Sequence, residues 1–421
     1  MKDYKDRPIY LQMILEYRHN SNVKIITGPR RCGKSWLLSR IYKDYLIEDG
    51  VPEKNIIMVS FDLDDENNQS ELADKDLLKA YLYERITDPN QQYYIFLDEI
   101  QEVEGFEKLV NGLNSKQNVD VYITGSNAHM LSSDINTIFR GRGDEIRCNP
   151  YSFKEFCAGR DEPINELWKE YYTYGGLPAL REYRTPATKA KYLKTLWTTT
   201  YLKDVVDKNN VTNTLAMAAI VDALSSSIGS LTNPTNIKNT LQSVQHIKID
   251  EETVGKYLRY LEDAYLFSGA KRYDIKGKEY FKSIAKYYCC DIGLRNVRLN
   301  FRQQEISHIM ENIIYNELSS RGYFVDVGMV ESREMRNGKS QYIQYEVDFI
   351  ATNGIDKYYI QSAYAIESEE KRQQELRSFK KIYDSFQKIV IVGNDIATYT
   401  NDDGIIFMGL FQFLMNDDIL K

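Results

Sequence analysis

The sequence is poor in the residues that build metal centres and disulfide frameworks. Among 421 residues there are five cysteines and four histidines, and no two cysteines follow the C-x-x-C spacing. A zinc site or a disulfide scaffold is therefore not expected, and such cysteine usage is typical of the reducing cytoplasm. The sequence also lacks an apolar run of the ~20 residues that a membrane helix needs.

Positive charge is not in excess either. The sequence has 54 Lys and Arg against 61 Asp and Glu, which gives a net charge of −7. Bulk electrostatics therefore do not indicate a nucleic-acid-binding protein, although a local basic patch remains open. The N-terminal residues are charged rather than apolar, so no signal peptide is expected. We expect a cytoplasmic protein of two to four domains without a membrane partner.

The most informative stretch is Gly28-Pro-Arg-Arg-Cys-Gly-Lys-Ser35, which matches the P-loop pattern G-x-x-x-x-G-K-[ST]. A short β-rich run precedes it and a helical spacing follows it, as the motif requires. Its glycines let the backbone curve around phosphates, so that the N–H groups can bind them. We expect Lys34 to contact the β- and γ-phosphates of ATP and Ser35 to bind Mg²⁺.

A second motif, Tyr93-Tyr-Ile-Phe-Leu-Asp-Glu-Ile100, is an apolar run that ends in two carboxylates. Such runs are typical of parallel strands buried on both faces, and ligands bind at the carboxyl ends of these strands. We expect Asp98 to bind Mg²⁺ with Ser35, and Glu99 to orient and deprotonate the attacking water. ATP hydrolysis is therefore predicted. The predicted nucleotide-binding residues are Gly28, Pro29, Arg30, Arg31, Cys32, Gly33, Lys34, Ser35 and Asp98.

Two further positions have candidate roles in hydrolysis. Asn127, or Ser126 beside it, ends a predicted strand. Its side chain would contact the attacking water or the γ-phosphate, as the sensor 1 residue does in AAA+ ATPases. The alternative is that these residues only form the turn that ends the strand. Arg142 lies between two glycines and is the candidate arginine finger, acting within the chain or across a subunit boundary. The alternative is that Arg140 and Arg142 are two surface arginines without a catalytic role.

These motifs resemble those of a prokaryotic family of AAA+ ATPases that carry a C-terminal domain of unknown function with a restriction-nuclease-like end. The resemblance continues through Pro150-Tyr-Ser-Phe-Lys-Glu-Phe156, Tyr174-Gly-Gly-Leu-Pro178, Asp291-Ile-Gly-Leu294 and Glu346-Val-Asp-Phe349, in the family's order over nearly the whole chain. It implies an AAA+ ATPase core over residues 1–160 and a helical lid over residues 161–207.

Residues 208–300 have the pattern of a winged helix-turn-helix: three short helices and then a polar ribbon. The third helix would enter a major groove of DNA, although two acidic residues at its start count against this. The residues that would bind DNA phosphates are Lys271, Arg272, Lys276 and Lys278. The alternative is a protein-interaction module whose basic hairpin is only a solvated edge.

Residues 301–421 have the order of a PD-(D/E)XK nuclease, with Glu311 on a helix and Asp348 on a strand. Such nucleases need carboxylates to bind Mg²⁺ and a lysine to support the attacking water. On the next strand this chain has Gln361 and Ala363 where the second carboxylate and the lysine belong. We therefore expect a vestigial site of Glu311, Asp348 and Gln361 that holds a weak ion at most.

The sequence thus predicts an α/β protein: a P-loop AAA+ ATPase with a helical lid, a winged-helix domain and a restriction-nuclease-like α/β domain. ATP and Mg²⁺ are the predicted cofactors. Hydrolysis would change the arrangement of the downstream domains, which are expected to contact nucleic acid. Two alternatives stay open: an ATP-gated regulator or scaffold with a protein partner only, and an ATP-dependent metal nuclease. The oligomeric state is also open.

Overall fold

The computed structural model describes residues 7–62, 68–126, 139, 141–336, 339–366 and 368–420. The chain divides into two compact units. The N-terminal unit comprises residues 1–151, 158–160 and 263–265, and the C-terminal unit comprises residues 152–157, 161–262 and 266–421. Within the described ranges, no helix is both long enough and apolar enough to cross a membrane.

The N-terminal unit is a five-stranded sheet with helices on both faces. Its strands are β1 Val23–Thr27, β2 Ile56–Ser60, β3 Tyr93–Asp98, β4 Val119–Thr124 and β5 Gly143–Arg147. Its helices are α1 Pro8–Tyr17, α2 (the consecutive stretches Lys34–Trp36, Leu37–Tyr42 and Lys43–Glu48, the second π-helical), α3 Lys75–Arg85 and α4 Phe106–Asn114. Short 3₁₀ turns occupy Glu53–Asn55, Ser70–Leu72 and Ile100–Glu102.

The sheet has the order β2-β3-β4-β1-β5, and every neighbouring pair is parallel. All residues of β1, β3 and β4 are buried, which explains why these strands are apolar runs rather than alternating patterns. The predicted α/β class is confirmed for this unit. Because the strands are parallel, the loops that follow β1, β3 and β4 meet at one edge of the sheet.

The C-terminal unit is built on one nine-stranded sheet. Its strands are β6 Leu231–Thr232, β7 Phe267–Asp274, β8 Glu279–Cys289, β9 Phe324–Arg336, β10 Lys339–Asn353, β11 Asp356–Ala363, β12 Gln387–Val392, β13 Tyr399–Thr400 and β14 Ile406–Gly409.

The same part of the chain supplies ten further helices within the described residues. They are α5 Phe153–Cys157, α6 Ile164–Tyr174, α7 (the consecutive stretches Pro186–Leu196, Trp197–Tyr201 and Leu202–Lys208, the second π-helical), α8 Thr214–Ser226, α9 Pro234–Val244, α10 Glu251–Asp263, α11 Ile292–Arg298, α12 Ile306–Ser320, α13 Glu369–Glu375 and α14 Leu410–Met415. Two 3₁₀ turns, Pro178–Glu182 and Phe379–Lys381, complete it.

The nine-stranded sheet crosses the position, near residue 300, where the sequence predicts a domain boundary. Strands β7 and β8 form an antiparallel hairpin, and β7 also pairs in parallel with β9 through Arg272, Tyr273 and Asp274. The three predicted helices correspond to α8, α9 and α10, and the predicted ribbon corresponds to the β7–β8 hairpin. The strand β6, which pairs with β8, was not predicted.

Two glycine motifs lie close together around the buried carboxylate of Asp291. Asp291 caps the start of α11, and its Oδ2 accepts the N–H of Gly176 at 2.7 Å. Gly175 has a φ of 82°, and a Cβ there would lie 2.1 Å from Asp291 Oδ1. A Cβ at Gly293 would lie 1.8 Å from the carbonyl oxygen of Tyr174. The chain therefore passes too close for any side chain at these two glycines.

Candidate active site

The P-loop follows β1 and curves so that α2 begins at Lys34. Three of its residues have positive φ: Gly28 (135°), Arg31 (61°) and Gly33 (99°). A Cβ at Gly28 would lie 2.0 Å from the carbonyl oxygen of Cys148, so only glycine fits there. Left-handed residues between right-handed ones direct N–H groups to one side, which forms a concavity that binds anions.

Lys34 is buried at the start of α2, with 4% of its surface exposed. Its Nζ donates 3.1 Å hydrogen bonds to the carbonyl oxygens of Gly28 and Pro29, and it lies 3.7 Å from Glu99 Oε1. Burial lowers the pKa of Lys34, but the charges around it, led by those of Cys32 and Glu99, raise this pKa above its ordinary value. Lys34 is therefore a cation held within the loop.

Asp98 ends β3 and faces the P-loop. Its Oδ1 accepts hydrogen bonds from Ser35 Oγ at 3.0 Å and from Thr124 Oγ1 at 2.5 Å, and its Oδ2 accepts one from Ser60 Oγ at 3.4 Å. Burial and the charge of Glu99 raise the pKa of Asp98 to about 6. Oxygen atoms are the donors that Mg²⁺ prefers. Ser35 and Asp98 therefore fit Mg²⁺, whose charge would keep the carboxylate ionised.

Glu99 has a left-handed backbone, with φ 51°, which is uncommon for a residue with a side chain and is typical of functional sites. Its N–H donates to Thr124 Oγ1 at 2.9 Å, and its Oε2 accepts a hydrogen bond from the side-chain amide of Gln101. The sharp turn after β3 brings the Glu99 carboxylate beside Lys34. The structure thus brings Lys34, Asp98 and Glu99 together.

The sensor prediction falls at the end of β4. Asn127 lies outside the described residues. Ser126 is buried, and its hydroxyl has no hydrogen-bond partner in the part of the chain that the structure describes. Thr124 contributes more clearly, because it binds both Asp98 and the Glu99 N–H. This threonine was not predicted as a site residue, since a threonine in a β-rich run is typical of an ordinary strand.

Arg142 lies at the other edge of the sheet. Its carbonyl oxygen accepts the N–H of Val23, the first residue of β1, at 2.8 Å. The P-loop follows Thr27, the last residue of β1, and the strand between these two residues is ~13 Å long. The exposed Arg142 side chain lines a cleft of about 380 Å³ with Lys116 and Asp120. An arginine finger acting within the chain is therefore not supported, while a finger acting across subunits stays a prediction.

A buried arginine that was not predicted supports the P-loop. Arg7 is 3% exposed, and its guanidinium donates to the carbonyl oxygens of Cys32 at 2.8 Å and Asn149 at 2.7 Å. Its Cζ also lies 4.3 Å from the centroid of the Tyr10 ring. Arg7 thereby joins the P-loop backbone to the residues after β5. A charged run before Pro8 is typical of a solvated N-terminus, so no local signal distinguishes this arginine.

The C-terminal unit brings two of the three predicted vestigial residues together. Glu311 on α12 and Asp348 on β10 both contact the Nζ of Lys286 on β8, at 2.8 Å and 3.4 Å. Gln361 instead donates to a glutamate of α13, with Nε2 and Oε2 3.5 Å apart. Ala363 on β11 stands where the nuclease pattern has a lysine. Lys286 on β8 instead brings a lysine to Glu311 and Asp348. Lys286 was not predicted, because its strand belongs to the predicted winged-helix domain.

The four basic residues that were predicted to bind DNA lie in β7 and in the turn that follows it. Lys271 and Lys278 are exposed. Arg272 donates to a side-chain oxygen in β10 at 3.1 Å, and Lys276 donates to a backbone carbonyl in β9 at 2.8 Å. Two of the four cations are therefore already engaged with neighbouring strands.

Comparison with known proteins assigns two regions. Residues 20–157 match the family described as AAA domain, and residues 165–305 match a Domain of unknown function (DUF8612). An uncharacterized protein of Haemophilus influenzae is 34% identical over 414 residues, which cover 97% of this chain and 98% of that protein. Uncharacterized protein MJ1544 of Methanocaldococcus jannaschii is 29% identical over 400 residues, covering 91% and 83% respectively.

Two solved structures were also compared. The Aeropyrum pernix ORC1 protein in complex with DNA aligns with a TM-score of 0.28 and 12% identity, covering 70% of this chain and 92% of that chain. A DNA polymerase III gamma subunit-related protein from Thermotoga maritima aligns with a TM-score of 0.27 and 12% identity, covering 61% and 99%. The AAA match spans β1 to β5, and a parallel α/β sheet of this kind is typical of P-loop AAA+ ATPases.

Proposed function

We propose that this chain, which belongs to the same protein family as its Haemophilus influenzae relative, is a Mg²⁺-dependent ATPase of the AAA+ type. The observation that carries the proposal is the meeting of Lys34, Ser35, Asp98 and Glu99 at one edge of a parallel sheet. They supply a cation for the phosphates, two oxygen donors for Mg²⁺ and a base. These are the groups that phosphoryl transfer to water requires.

Each group has a defined task in this proposal. The P-loop N–H groups surround the β-phosphate, and Lys34 exchanges its two backbone carbonyl partners for phosphate oxygens. Ser35 and Asp98 would hold Mg²⁺, which would neutralise negative charge on the phosphates. Glu99 accepts the proton of the attacking water, and its left-handed backbone aims the carboxylate at that water. Arg142 would serve the site of a neighbouring subunit.

The remaining elements are proposed to respond to the nucleotide. Residues 161–207 form the helical lid, residues 208–300 the winged-helix domain and residues 301–421 the nuclease-like domain. The order of α8, β6, α9, α10 and the β7–β8 hairpin supports the winged-helix assignment. In this proposal, ATP binding and hydrolysis change the conformation of these regions.

A second observation favours nucleic acid as the partner of the C-terminal unit. Lys276 Nζ lies 5.8 Å from the ring centroid of Tyr383, and Lys357 Nζ lies 4.9 Å from that of Phe386. Lys278, an exposed residue in the turn between β7 and β8, lies close enough to Lys357 to interact with its charge. The Tyr383 ring is 84% exposed. We name these five residues the basic–aromatic patch; such surfaces stack single-stranded bases and pair lysines with phosphates.

Duplex DNA is less favoured by the residues of α10, the helix proposed to enter a major groove. That helix begins with Glu251 and Glu252, whose charges repel phosphates. The basic–aromatic patch, in contrast, offers exposed rings that a stacked duplex cannot engage. We therefore propose single-stranded nucleic acid as the partner, and a protein partner is the competing outcome.

The test is phosphate release from Mg·ATP by the full chain, measured alone and with single-stranded DNA, duplex DNA or RNA at low salt. We expect a basal rate that requires Mg²⁺ and that rises with single-stranded nucleic acid. Failure to release phosphate under every condition would overturn the ATPase proposal. A clear basal rate with no binding of any nucleic acid would overturn only the nucleic-acid proposal.

A further inference from the structure

Lys286 sits at the centre of three carboxylates. Its Nζ lies 2.7 Å from Glu346 Oε1, 2.8 Å from Glu311 Oε1 and 3.4 Å from Asp348 Oδ1. The Lys286 side chain is 3% exposed, and those of Glu311 and Asp348 are 11% and 10% exposed. The Glu346 side chain is 33% exposed and leaves one side of the group open to solvent. We call these four residues the lysine–carboxylate cluster.

Further hydrogen bonds fix the carboxylates around this ammonium. The Tyr288 hydroxyl donates to Glu311 Oε1 at 2.7 Å, and the Ser362 N–H donates to Asp348 Oδ2 at 2.9 Å. Three carboxyl groups thus share one buried ammonium. Such a group attracts additional positive charge.

The position of the ammonium is the position that a metal ion would need. A divalent ion bound by these acids would have to lie within ~2.0–2.6 Å of several of their oxygens, in the space that Nζ fills. Among the described residues, no three acidic, histidine or cysteine side chains are arranged to hold a metal ion as they stand. The lysine therefore occupies this space and holds the carboxylates at hydrogen-bond distances.

We propose that Lys286 is the resident cation of this site, held in place of a divalent metal, so that removing its charge converts the cluster into a Mn²⁺ or Mg²⁺ site. The ion would be bound by Glu311, Glu346 and Asp348, which need to close by less than about 1.5 Å around it. This site is independent of the proposed ATPase activity, because all of its residues belong to the C-terminal unit.

The test compares wild type, Lys286→Met, Lys286→Arg and Lys286→Met/Asp348→Asn in the full chain without nucleotide, near pH 8. Free Mn²⁺ is followed by its electron paramagnetic resonance during titration. Any Mn²⁺ that binds at Ser35 and Asp98 binds to all of these proteins alike. The comparison therefore uses only the Mn²⁺ binding that is lost when Asp348 is replaced. Lys286→Met should bind one additional Mn²⁺ at least tenfold more tightly than wild type. Lys286→Arg and the double variant should bind none.

Two outcomes would overturn the proposal. One is Mn²⁺ binding by the wild-type protein that is lost in Asp348→Asn, since the cluster would then bind a metal ion even with Lys286 present. The other is a folded Lys286→Met protein that gains no Mn²⁺. If Lys286→Met does not fold alone, the wild-type comparison with Asp348→Asn still decides the first outcome. Lys286→Gln, which also removes the ammonium but keeps all three carboxyl groups and can hydrogen-bond to them, then replaces it in the titration, and folding is checked by circular dichroism.

Discussion

Ser35 Oγ and Asp98 Oδ1 are joined by a 3.0 Å hydrogen bond, so the last residue of the P-loop faces the last residue of β3. Ser35 lies in the first turn of α2 and Asp98 ends β3, so the two residues meet at the carboxyl edge of the sheet. These two residues would hold a divalent ion, and Lys34 and Glu99, which are 3.7 Å apart, belong to the same group of residues. In the proposed mechanism this contact therefore links phosphate binding to hydrolysis.

Replacing Glu99 by Gln should separate binding from turnover. The amide keeps the size of the side chain but cannot accept the proton of water, so kcat should fall by about 10²–10⁴-fold. Nucleotide affinity should stay within a few-fold of wild type, as measured by fluorescent nucleotide titration. The matched control is Glu102→Gln, three residues away and exposed. An unchanged kcat would falsify the assignment of Glu99 as the base.

Lys34→Ala should weaken both nucleotide binding and turnover, because the buried ammonium is proposed to contact the phosphates in the ground state and in the transition state. We expect at least a tenfold loss of affinity, together with loss of measurable phosphate release. Lys54→Ala, an exposed lysine on the 3₁₀ turn before β2, serves as the control. Wild-type affinity in Lys34→Ala would rule out the phosphate contact.

Asp98→Asn should stabilise the fold at neutral pH while it abolishes Mg²⁺-dependent hydrolysis. The pKa of Asp98 is raised to about 6, so the folded state binds its proton more tightly than the unfolded state does. The stability from this group is present below the unfolded pKa and is lost as pH rises towards 6. At about pH 7 the variant should gain about 2 kcal/mol in urea unfolding. The gain should shrink near pH 4; a constant difference would contradict the assignment.

Charge reversal at Lys271 and Lys278 should weaken nucleic-acid binding and flatten its salt dependence. Each lost phosphate contact should lower the salt slope by about 0.7–0.9. These two lysines are chosen because they are exposed, whereas Arg272 and Lys276 bond to neighbouring strands. Charge reversal at all four basic residues should weaken binding further. It would also break the hydrogen bonds that Arg272 and Lys276 make to neighbouring strands. Binding and slope equal to wild type would exclude the ribbon as the contact surface.

The purified protein should not cut DNA or RNA with Mg²⁺ or Mn²⁺, with or without ATP. Gln361 is a weaker oxygen donor than a carboxylate, and Lys286 occupies the space between Glu311 and Asp348. Plasmid and single-stranded substrates should remain intact with wild type and with Asp348→Ala. Cleavage by wild type that is lost in the variant would instead establish a metal nuclease.

The sequence is most informative where candidate site residues are neighbours along the chain. The P-loop from Gly28 to Ser35 carries its own glycines, Asp98 ends the strand that positions it, and Glu99 follows directly. Neither Arg7 nor Lys286 could be found in this way. Arg7 binds residue 32 and residue 149, and Lys286 binds residues 311, 346 and 348. Such contacts depend on the tertiary fold, which local spacing does not report.

Arg142 shows a second limit of prediction from local sequence. The glycines on each side correctly indicate an exposed side chain, but they do not indicate the edge of the sheet on which it lies. That edge is determined by the parallel pairing of β5 with β1, which begins at Val23 and Gly143. The sequence likewise predicted the β7–β8 hairpin without its parallel partner β9, since pairing between distant strands has no local signature.

The shared sheet has a consequence for synthesis of the chain on the ribosome. Lys286 and its partner Asp348 are 62 residues apart, which is about 3–12 s of translation at ordinary rates. During that interval the β7–β8 hairpin has an open edge and an ammonium group that cannot yet be buried with its acids. The nascent chain should therefore complete this region late, after β10 has left the exit tunnel, and it should be vulnerable to aggregation until then.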